Sequence, residues 1–141
     1  MKAHKDKALV YCVEAGRLLV FRHVDYSFEE VGIQVPGGSV RSGETPEAAA
    51  LRELCEETGH DTFVIERELG SDTYDITPYR AEIQNRHFYL ARPTAPLPAR
   101  WFAEEAHDGT APPTRLEFFW IPLTQGHVLQ SGQGALLGAI D

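Results

Sequence analysis

Hydrophobic residues near the start of the chain are concentrated in two short runs separated by a turn. Residues 7–13 read KALVYCV and residues 17–22 read RLLVFR, and both runs are rich in the branched aliphatic and aromatic residues that favour strands. Residues 14–16, between them, have the composition of a turn. The pattern therefore predicts a β-hairpin, followed by a polar loop over residues 25–32 and a short extended segment over residues 33–35.

The strongest helix pattern in the chain lies between residues 45 and 58. Thr45 can cap the helix by accepting a hydrogen bond from a backbone N–H, and Pro46 then stands at the first helical position, where a missing N–H costs nothing. The residues that follow are mostly Ala, Leu, Arg and Glu, which are good helix formers. Gly59 is placed to end the helix in a left-handed conformation. We therefore predict a capped helix over this stretch.

The second half of the chain predicts further strands and a weaker final helix. Strand patterns cover residues 62–69, residues 83–91 (with residues 80–82 belonging to the same strand) and residues 117–122. Irregular connections are predicted over the Pro-rich residues 93–98 and the polar residues 104–113. Residues 131–139 are compatible with a helix that three glycines weaken. This order predicts an α/β fold, a mixed sheet flanked by helices, with residues 1–141 forming a single domain.

Composition and charge narrow the class of protein. Of the 141 residues, 43% are hydrophobic and 24% are charged, which is typical of soluble globular proteins. No stretch approaches the roughly 20 consecutive apolar residues of a membrane-spanning helix, and the polar N-terminus lacks the apolar core of a signal peptide, so we expect a cytoplasmic protein. Cys12 and Cys55 lie in apolar stretches and are expected to be buried free thiols. The net charge of −8 disfavours long nucleic acids and anionic membranes as partners.

Three glutamates share one face of the predicted helix. At about 100° per residue, Glu53, Glu56 and Glu57 fall within one arc, and the opposite arc is predicted to pack against the sheet. That packing arc comprises Ala48, Ala50, Leu51, Leu54, Cys55 and Thr58. Carboxylates spaced in this way repel one another, whereas Mg²⁺ prefers carboxylate oxygens and would offset the repulsion. The helix alone leaves two interpretations open, a metal-binding patch and a solvated acidic surface, and in either one Arg52 can pair with Glu44 or Glu56.

The loop and the helix together contain a motif with fixed spacing. Gly38 is followed by five residues and Glu44, and then by seven residues and Arg52-Glu53-Leu54-Cys55-Glu56-Glu57-Thr58-Gly59. This arrangement resembles the Nudix box, GX5EX7REUXEEXGU with U an aliphatic residue, and every fixed position matches. The one departure is His60, which stands where the family usually has Ile, Leu or Val. The preceding Pro36-Gly37-Gly38 is predicted to end the extended segment and to permit positive φ angles and close approach of a ligand.

Resemblance to the Nudix family implies an α/β/α sandwich in which the box forms a loop, a helix and a second loop. It also implies hydrolysis of a nucleoside diphosphate linked to another group X, with a small-molecule nucleotide as substrate and Mg²⁺, or Mn²⁺ in its place, as cofactor. By position, the metal ligands correspond to Gly38 (through its carbonyl oxygen), Glu53, Glu56 and Glu57. Glu44 and Arg52 correspond to residues that orient the loop and the helix. Homodimers are common in the family, so a homodimer is a further expectation.

The general base and the substrate contacts stay open at the level of sequence. Glu56 can accept the proton of the attacking water, and so can an acid outside the box, for which Glu117 is preferred over Glu104 and Glu105. The candidate substrate contacts, each with an ordinary structural explanation as well, are Arg22, Phe28, Tyr79, Arg86, His87, Trp101 and Trp120. Strand alternation places neighbouring residues 86 and 87 on opposite faces, so only one of the two can face a given pocket.

Three other functions compete with hydrolysis of a small nucleotide. A Nudix domain that binds nucleotide-linked ligands without hydrolysing them would act as a sensor, although the intact acids argue against it. A hydrolase of RNA 5′ ends is disfavoured by the net charge of −8 and by the lack of a basic stripe. An unrelated globular protein with an acidic helix is the third alternative. The leaving group X is not identified by the sequence.

Overall fold

The computed structural model describes residues 2–106 and 111–140. The elements in this part of the chain are strands, one α-helix and two short 3-10 segments. They are β1 (Ala3–Glu14), β2 (Arg17–His23), β3 (Gly37–Ser39), α1 (Pro46–Thr58), β4 (Phe63–Asp75), β5 (Glu82–Pro93), β6 (Arg100–Glu105), β7 (Thr114–Pro122) and the 3-10 segments Leu123–Val128 and Leu137–Ala139.

The strands form a mixed sheet that divides in its middle. The strand order is β4-β5-β1-β2-β7-β6, with β3 paired to β1 off this path. β1 and β5 run parallel, whereas the other strand pairs are antiparallel. β1 and β2 are in register only next to their turn, where Val13 faces Leu18. Further along, β3 pairs with β1 and Gln34 pairs with Phe21 of β2, so residues 33–39 lie between the two halves of the sheet.

Both faces of the sheet are covered, and alternation along β1 shows how. Val10 and Cys12 belong to the core beneath α1, whereas Leu9 and Tyr11 belong to a second core on the opposite face. The C-terminal segment covers that second core and is tied to it, because the Tyr11 hydroxyl donates a hydrogen bond to the carbonyl oxygen of Gln133 at 2.6 Å. Burying each large apolar side chain in these cores contributes about 1.5–3 kcal/mol. The predicted α/β sandwich with a mixed sheet is confirmed.

The helix has the predicted caps but a rotated packing face. The Thr45 hydroxyl oxygen accepts a hydrogen bond from the backbone N–H of Ala48 at 3.1 Å, and Gly59 ends the helix with a φ of 75°. The buried residues of the helix are Ala49, Ala50, Leu54, Glu57 and Thr58. Ala48 and Leu51 of the predicted packing arc are exposed, so the arc turns toward the acidic side. One of the three clustered glutamates, Glu57, is therefore buried.

Several predicted boundaries are wrong. The final helix is absent from the described residues, where residues 131–136 form turns before the 3-10 segment Leu137–Ala139. Its three glycines explain this, because glycine costs about 1 kcal/mol relative to alanine inside a helix. Glu104 and Glu105, assigned to a loop, belong to strand β6, which the sequence pattern missed. Residues 107–110 of that predicted loop lie outside the described residues.

Three strands extend beyond their predicted ends, and one appears where a turn was expected. β1 and β4 are longer than predicted, β5 begins and ends two residues later than predicted, and β7 begins three residues earlier, at Thr114. Gly37 and Gly38, predicted to end an extended segment, instead form β3. Their backbone φ angles are not positive, so close approach is the reason for glycine at these two positions. A Cβ on Gly37 would lie 2.4 Å from the carbonyl oxygen of Ala8 in β1.

Two expectations drawn from composition can be compared with the described residues. Within residues 2–106 and 111–140, no helix has the length and apolar character that crossing a membrane requires. Both cysteines are free thiols; Cys12 is fully buried, whereas Cys55 is only partly buried. Burial raises the pKa of Cys12 to about 12, so this thiol is inert at neutral pH.

Candidate active site

The loop of the box brings a backbone segment against the first acid of the helix. β3 pairs with β1 and places Gly38 directly beside Glu53. A Cβ on Gly38 would lie only 2.4 Å from the carboxyl carbon of Glu53 and 2.5 Å from one of its oxygens. Only a residue without a side chain therefore allows this carboxylate to lie against the loop. The two positions that the sequence assigned to one metal site, 38 and 53, are neighbours in the fold.

Glu57 is a buried carboxylate that accepts one hydrogen bond from residues 2–106 and 111–140. The residue is 3% exposed, and its Oε1 accepts a hydrogen bond from the backbone N–H of Gly37 at 2.7 Å. Burial raises the pKa of Glu57 well above its ordinary value, and the charges of Glu105, Glu53 and Glu56 raise it further, against the effect of the Gly37 N–H. A carboxylate so placed costs free energy until a cation or a proton neutralises it.

Glu53 is more exposed to solvent than Glu57, and Glu56, on the same side of the helix, is more exposed again. The Glu53 side chain is 13% exposed, and burial raises its pKa although Arg52 opposes the rise. The Glu56 side chain is 53% exposed, and Arg41 lies 4.0 Å from it. The three box glutamates thus run from the core to the solvent, all on one wall.

Arg52 organises the carboxylates around it. Its Nε and Nη2 donate to the two carboxylate oxygens of Glu44 at 2.8 and 3.0 Å, which lowers the pKa of Glu44 to about 2. Nη1 donates to Glu53 at 2.8 Å and to Glu56 at 3.3 Å, and Nη2 also donates to the carbonyl oxygen of Ser39 at 2.9 Å. One guanidinium therefore joins the loop to the helix and fixes the rotamer of Glu53, a task that suits the rigid fork of arginine.

These acids line an open cavity, which we call the acidic cavity. Its volume is about 430 Å³, and its walls are Arg41, Glu53, Glu56, Glu57, Glu104, Glu105 and Ala106. Glu105 alternates along β6 with Trp101 and Ala103, which pack on the core beneath α1, so its side chain lies on the helix side of the sheet. The Glu105 charge raises the pKa of both Glu53 and Glu57. Glu105 and the three helix glutamates thus share this cavity with the Arg41 guanidinium.

The residues of the acidic cavity suit a hard divalent cation. The atoms that these acids offer to a metal are carboxylate oxygens, the ligand type that Mg²⁺ and Mn²⁺ prefer. A bound cation would also relieve the mutual repulsion of the carboxylates. As the side chains stand, no three acidic, histidine or cysteine groups of residues 2–106 and 111–140 are grouped closely enough to share one ion. The ion pairs of Arg52 with Glu53 and Glu56 provide a reason, because they turn these carboxylates toward the guanidinium.

Glu117, the preferred candidate base outside the box, lies elsewhere. It alternates along β7 with Leu116 and Phe118, which face the core beneath α1, so Glu117 points to the opposite face of the sheet. Its carboxylate is paired with Arg22 at 2.6 Å and with Arg100 at 3.2 Å. It does not line the acidic cavity. Of the candidate bases, Glu56 and Glu105 line the acidic cavity, whereas Glu117 does not.

A second cavity adjoins the first, and we call it the glutamine cavity. Its volume is about 150 Å³, and its walls are Lys7, Leu9, Phe21, Gln34, Val35, Gly37, Gly38, Glu57, Gln84, Arg86 and Gln133. Glu57 lines both cavities. Arg86 is a candidate contact from the sequence, whereas Lys7 and the three glutamines were not predicted. The sequence could have indicated Lys7 and Gln84. Strand alternation puts Lys7 on the same face as Leu9, and Gln84 on the same face as Arg86.

The remaining candidate contacts fall into structural roles or onto the surface. Trp101 stacks on Phe118 with ring centroids 5.2 Å apart and donates from Nε1 to the carbonyl oxygen of Thr58 at 2.8 Å, which closes the end of α1. His60, the departure from the box, packs edge-on against Trp101 at 5.0 Å, so an aromatic contact takes the place of an aliphatic one. His87 lies on the opposite face from Arg86, 3.5 Å from Asp6.

The other candidate substrate contacts also lie in structural roles or on the surface. Trp120 donates from Nε1 to the carbonyl oxygen of Pro98 at 3.2 Å and lies under the Arg17 guanidinium. Tyr79 is 85% exposed and Phe28 is 58% exposed. Arg22 reaches the ring of Phe28 at 5.8 Å besides its pair with Glu117. None of these residues lines either cavity.

Comparison with known proteins assigns the family. The family model of the NUDIX domain matches residues 3–135, and the chain belongs to this family. Among solved structures, it resembles a MutT NUDIX hydrolase from Burkholderia pseudomallei with a TM-score of 0.68 and 22% identity, covering 99% of this chain and 100% of that one. It also resembles a NUDIX hydrolase from Nitrosomonas europaea, with a TM-score of 0.65, 15% identity and coverage of 96% and 85%. At these identities the likeness shows the fold.

Curated relatives match over shorter stretches. An RNA pyrophosphohydrolase of Agrobacterium fabrum (strain C58) is 37% identical over 93 residues, which are 64% of this chain and 51% of that protein. An ADP-ribose pyrophosphatase of Bacillus subtilis (strain 168) is 34% identical over 53 residues, 38% of this chain and 29% of that protein. An RNA pyrophosphohydrolase of Roseobacter denitrificans is 50% identical over 46 residues, 33% of this chain and 28% of that protein. The chain thus spans between about a quarter and a half of these relatives.

Proposed function

We propose that the chain hydrolyses the pyrophosphate bond of a nucleoside diphosphate linked to another group X, with Mg²⁺ as cofactor and Mn²⁺ as a substitute. The observation that carries the proposal is the acidic cavity, where Glu53, Glu56 and Glu57 share one wall and Gly38 lies against Glu53. A protein with a net charge of −8 that acts on an anionic substrate needs cations at the site. The curated relatives named above are themselves pyrophosphatases and pyrophosphohydrolases.

The three box glutamates and the carbonyl oxygen of Gly38 would hold the cation. When bound there, a divalent ion neutralises the charge of the diphosphate and lowers the pKa of an attacking water. Glu57 presents its carboxylate from a buried position fixed by the Gly37 N–H, so little side-chain motion is left to lose on binding. Arg52 keeps Glu53 in one rotamer and ties the helix to the loop through Ser39.

We infer that Glu105 accepts the proton of the water. This residue of β6 lines the acidic cavity together with the helix glutamates, and a general base must come within hydrogen-bond reach of the proton it removes. The water oxygen forms a new bond to phosphorus while the bridging P–O bond breaks. The products are a nucleoside monophosphate and phosphorylated X, and the proton of the water passes to Glu105. Arg41, with its side chain 64% exposed at the rim, supplies a cation for a phosphate oxygen.

A phosphate-release assay tests the proposed activity. Purified protein is incubated with Mg²⁺ and a panel of nucleotide sugars, dinucleotides and nucleoside triphosphates, and monophosphate products are quantified. We expect turnover that EDTA abolishes, and that Glu56→Gln lowers by about 100-fold or more because several kcal/mol of charge stabilisation are lost. Glu47→Gln, an exposed glutamate in the first turn of the same helix, is the matched control and retains the wild-type rate. Absence of turnover across the panel while ligands still bind would favour a sensor.

The assignment of the base has its own test. Glu105→Gln is expected to lower kcat by about 100-fold or more, in the range for loss of a positioned base. Glu117→Gln, on the other face of the sheet, is expected to leave kcat within about threefold of wild type. If Glu117→Gln were the more damaging of the two, Glu105 would not be the base.

A second candidate function is hydrolysis at RNA 5′ ends. Two of the curated relatives carry that name, one at 37% identity over 93 residues and one at 50% over 46 residues. The net charge of −8 opposes long-range attraction of RNA. A 5′-triphosphorylated oligoribonucleotide therefore belongs in the substrate panel, and release of pyrophosphate from it at a higher kcat/KM than from any small nucleotide would establish the RNA activity instead.

A further inference from the structure

Arg86 in the glutamine cavity is a buried cation whose binding capacity is only partly used. The residue is 4% exposed, and it takes part in no ion pair with residues 2–106 or 111–140. Its Nε donates to Oε1 of Gln84 at 2.9 Å, its Nη1 donates to the carbonyl oxygen of Ser131, and its plane lies 4.3 Å above the Tyr74 ring. A buried guanidinium without a carboxylate is costly unless its donors are satisfied.

One nitrogen of this guanidinium faces the cavity. Nη2 makes no hydrogen bond within the described chain, yet no buried side-chain nitrogen or oxygen there lacks a partner. Nη2 is therefore accessible, and the glutamine cavity is the space that Arg86 lines. Gln84 keeps the guanidinium in place, since it accepts from Nε and donates to buried Glu82 at 3.1 Å. The arrangement aims a fixed donor at whatever occupies the cavity.

Two other side chains of the cavity, Lys7 and Gln133, have donors to offer, and three wall residues are apolar. Lys7, the cross-strand neighbour of Arg86, donates from Nζ to Ser39 and has further N–H groups. Gln133 accepts from the Val35 N–H through Oε1, so its amide nitrogen is the group left to donate. Leu9, Phe21 and Val35 complete the wall. Apolar side chains beside such donors suit a planar heterocycle whose edge carries acceptors.

We propose that the glutamine cavity binds the base of the nucleotide and that Arg86 donates from Nη2 to a carbonyl oxygen of that base, so that guanine is preferred over adenine. This inference rests on the proposed function for the identity of the substrate as a nucleotide. The glutamine cavity, at about 150 Å³, is smaller than the acidic cavity, at about 430 Å³. A base held there has its phosphates directed toward the acidic cavity, because Glu57 lines both.

Chemistry favours an oxo-bearing base over both adenine and a phosphate. Adenine presents an amino group where guanine presents a carbonyl oxygen. With adenine, the donor Nη2 of Arg86 would face another donor. A site built for one hydrogen-bonding pattern rejects the other strongly. A phosphate would gain little from the walls of Leu9 and Val35 and would meet the carboxylate of Glu57. The glutamine cavity would therefore bind the base of the substrate, and the acidic cavity its phosphates.

Calorimetric titration of GMP and AMP in metal-free buffer tests this inference, because neither ligand has a pyrophosphate bond to hydrolyse. The wild type is expected to bind GMP at least about tenfold more tightly than AMP, since one specific contact to a base contributes about 1–3 kcal/mol of discrimination. Arg86→Gln is expected to weaken GMP binding until the two affinities lie within about twofold. Equal weakening of both ligands, or tighter binding of AMP by the wild type, would overturn the inference.

Two further variants separate recognition from support of the C-terminal segment. Arg67→Gln removes another arginine that donates to this segment, at the carbonyl oxygen of Ala139, without touching the cavity, and it is expected to keep the preference for GMP. Gln34→Leu changes a cavity wall and covers the case in which Arg86→Gln does not fold; it is expected to weaken GMP at least about threefold. No weakening in Gln34→Leu, or loss of the preference in Arg67→Gln, would contradict the inference.

Guanosine and inorganic phosphate complete the test. Guanosine is expected to bind and to be weakened by Arg86→Gln, whereas inorganic phosphate is expected not to displace it. Displacement of guanosine by phosphate would mean that the cavity binds an anion instead. If the preference for GMP depends on Arg86 but no pyrophosphate substrate is hydrolysed, the proposed function fails and the base-binding site remains.

Discussion

Replacing Glu57 by glutamine is expected to lower kcat by at least about 100-fold and, in metal-free buffer, to raise the midpoint of thermal unfolding by ~3 °C or more. The two effects have one cause. The carboxylate is 3% exposed and receives a hydrogen bond from Gly37, so its charge destabilises the folded state while it prepares a site for a cation. Glutamine keeps an oxygen for the Gly37 N–H and removes the charge. Steady-state kinetics and calorimetric unfolding measure the two effects.

The effect of Mg²⁺ on the unfolding midpoint is a third measurement on Glu57→Gln. A ligand that binds only the folded state raises its stability in proportion to the logarithm of ligand concentration, so added Mg²⁺ is expected to raise the unfolding midpoint of the wild type and to have little effect on Glu57→Gln. Glu47→Gln on the same helix is the control and should respond to Mg²⁺ as the wild type does. A Glu57→Gln variant that is less stable than wild type without metal, or that turns over normally, would show that Glu57 is a structural residue.

Replacing Arg52 by lysine is expected to lower kcat/KM by about 10–100-fold and to raise the Mg²⁺ concentration needed for half-maximal activity, as loss of an outer partner of a metal ligand typically does. Lysine keeps the positive charge but cannot contact Glu44 through two nitrogens and Glu53 through a third, as the guanidinium does. The loop and the helix then lose their common anchor at Ser39. Activity measured across a Mg²⁺ titration separates this effect from simple loss of charge.

The matched control for this substitution is Arg92→Lys. Arg92 is an exposed arginine whose ion pair with Glu66 has an N–O distance of 3.2 Å, and exposed pairs contribute little. Its replacement should leave both kcat/KM and the Mg²⁺ requirement unchanged. An Arg52→Lys enzyme with wild-type Mg²⁺ dependence would mean that charge alone, and not the fork geometry of Arg52, supports the site.

Helix α1 and its loop could be predicted from sequence because their signals are local. Thr45, Pro46 and Gly59 act on neighbouring backbone groups, and the spacing of the box glutamates fixes which side of the helix they share. The rotation of the packing face could not be predicted in the same way. It depends on the β3–β1 pairing that draws the Gly37 N–H to Glu57, a contact between segments that only the assembled sheet brings together.

The position of Glu105, the proposed base, and the glutamine cavity both depend on pairing between strands that are distant in sequence. Glu105 reaches the acidic cavity because β6 pairs with β7 at the edge of the sheet, and the charged residues of β6 concealed the strand in a single sequence. Lys7 and Arg86 become neighbours through the parallel pairing of β1 with β5. Gln133 comes from the turns that replace the predicted final helix. No local pattern contains these partners, since each is chosen by sheet order and by packing.

Anomalous diffraction from crystals soaked in Mn²⁺ is the most direct test that the clustered carboxylates bind the cation for pyrophosphate hydrolysis. Data collected above the manganese absorption edge should show density between Glu53, Glu56, Glu57 and the carbonyl oxygen of Gly38, with the Arg52 contacts to Glu53 and Glu56 lengthened. Manganese bound only at other positions, with these three side chains still turned toward Arg52, would contradict the metal-binding role of the box.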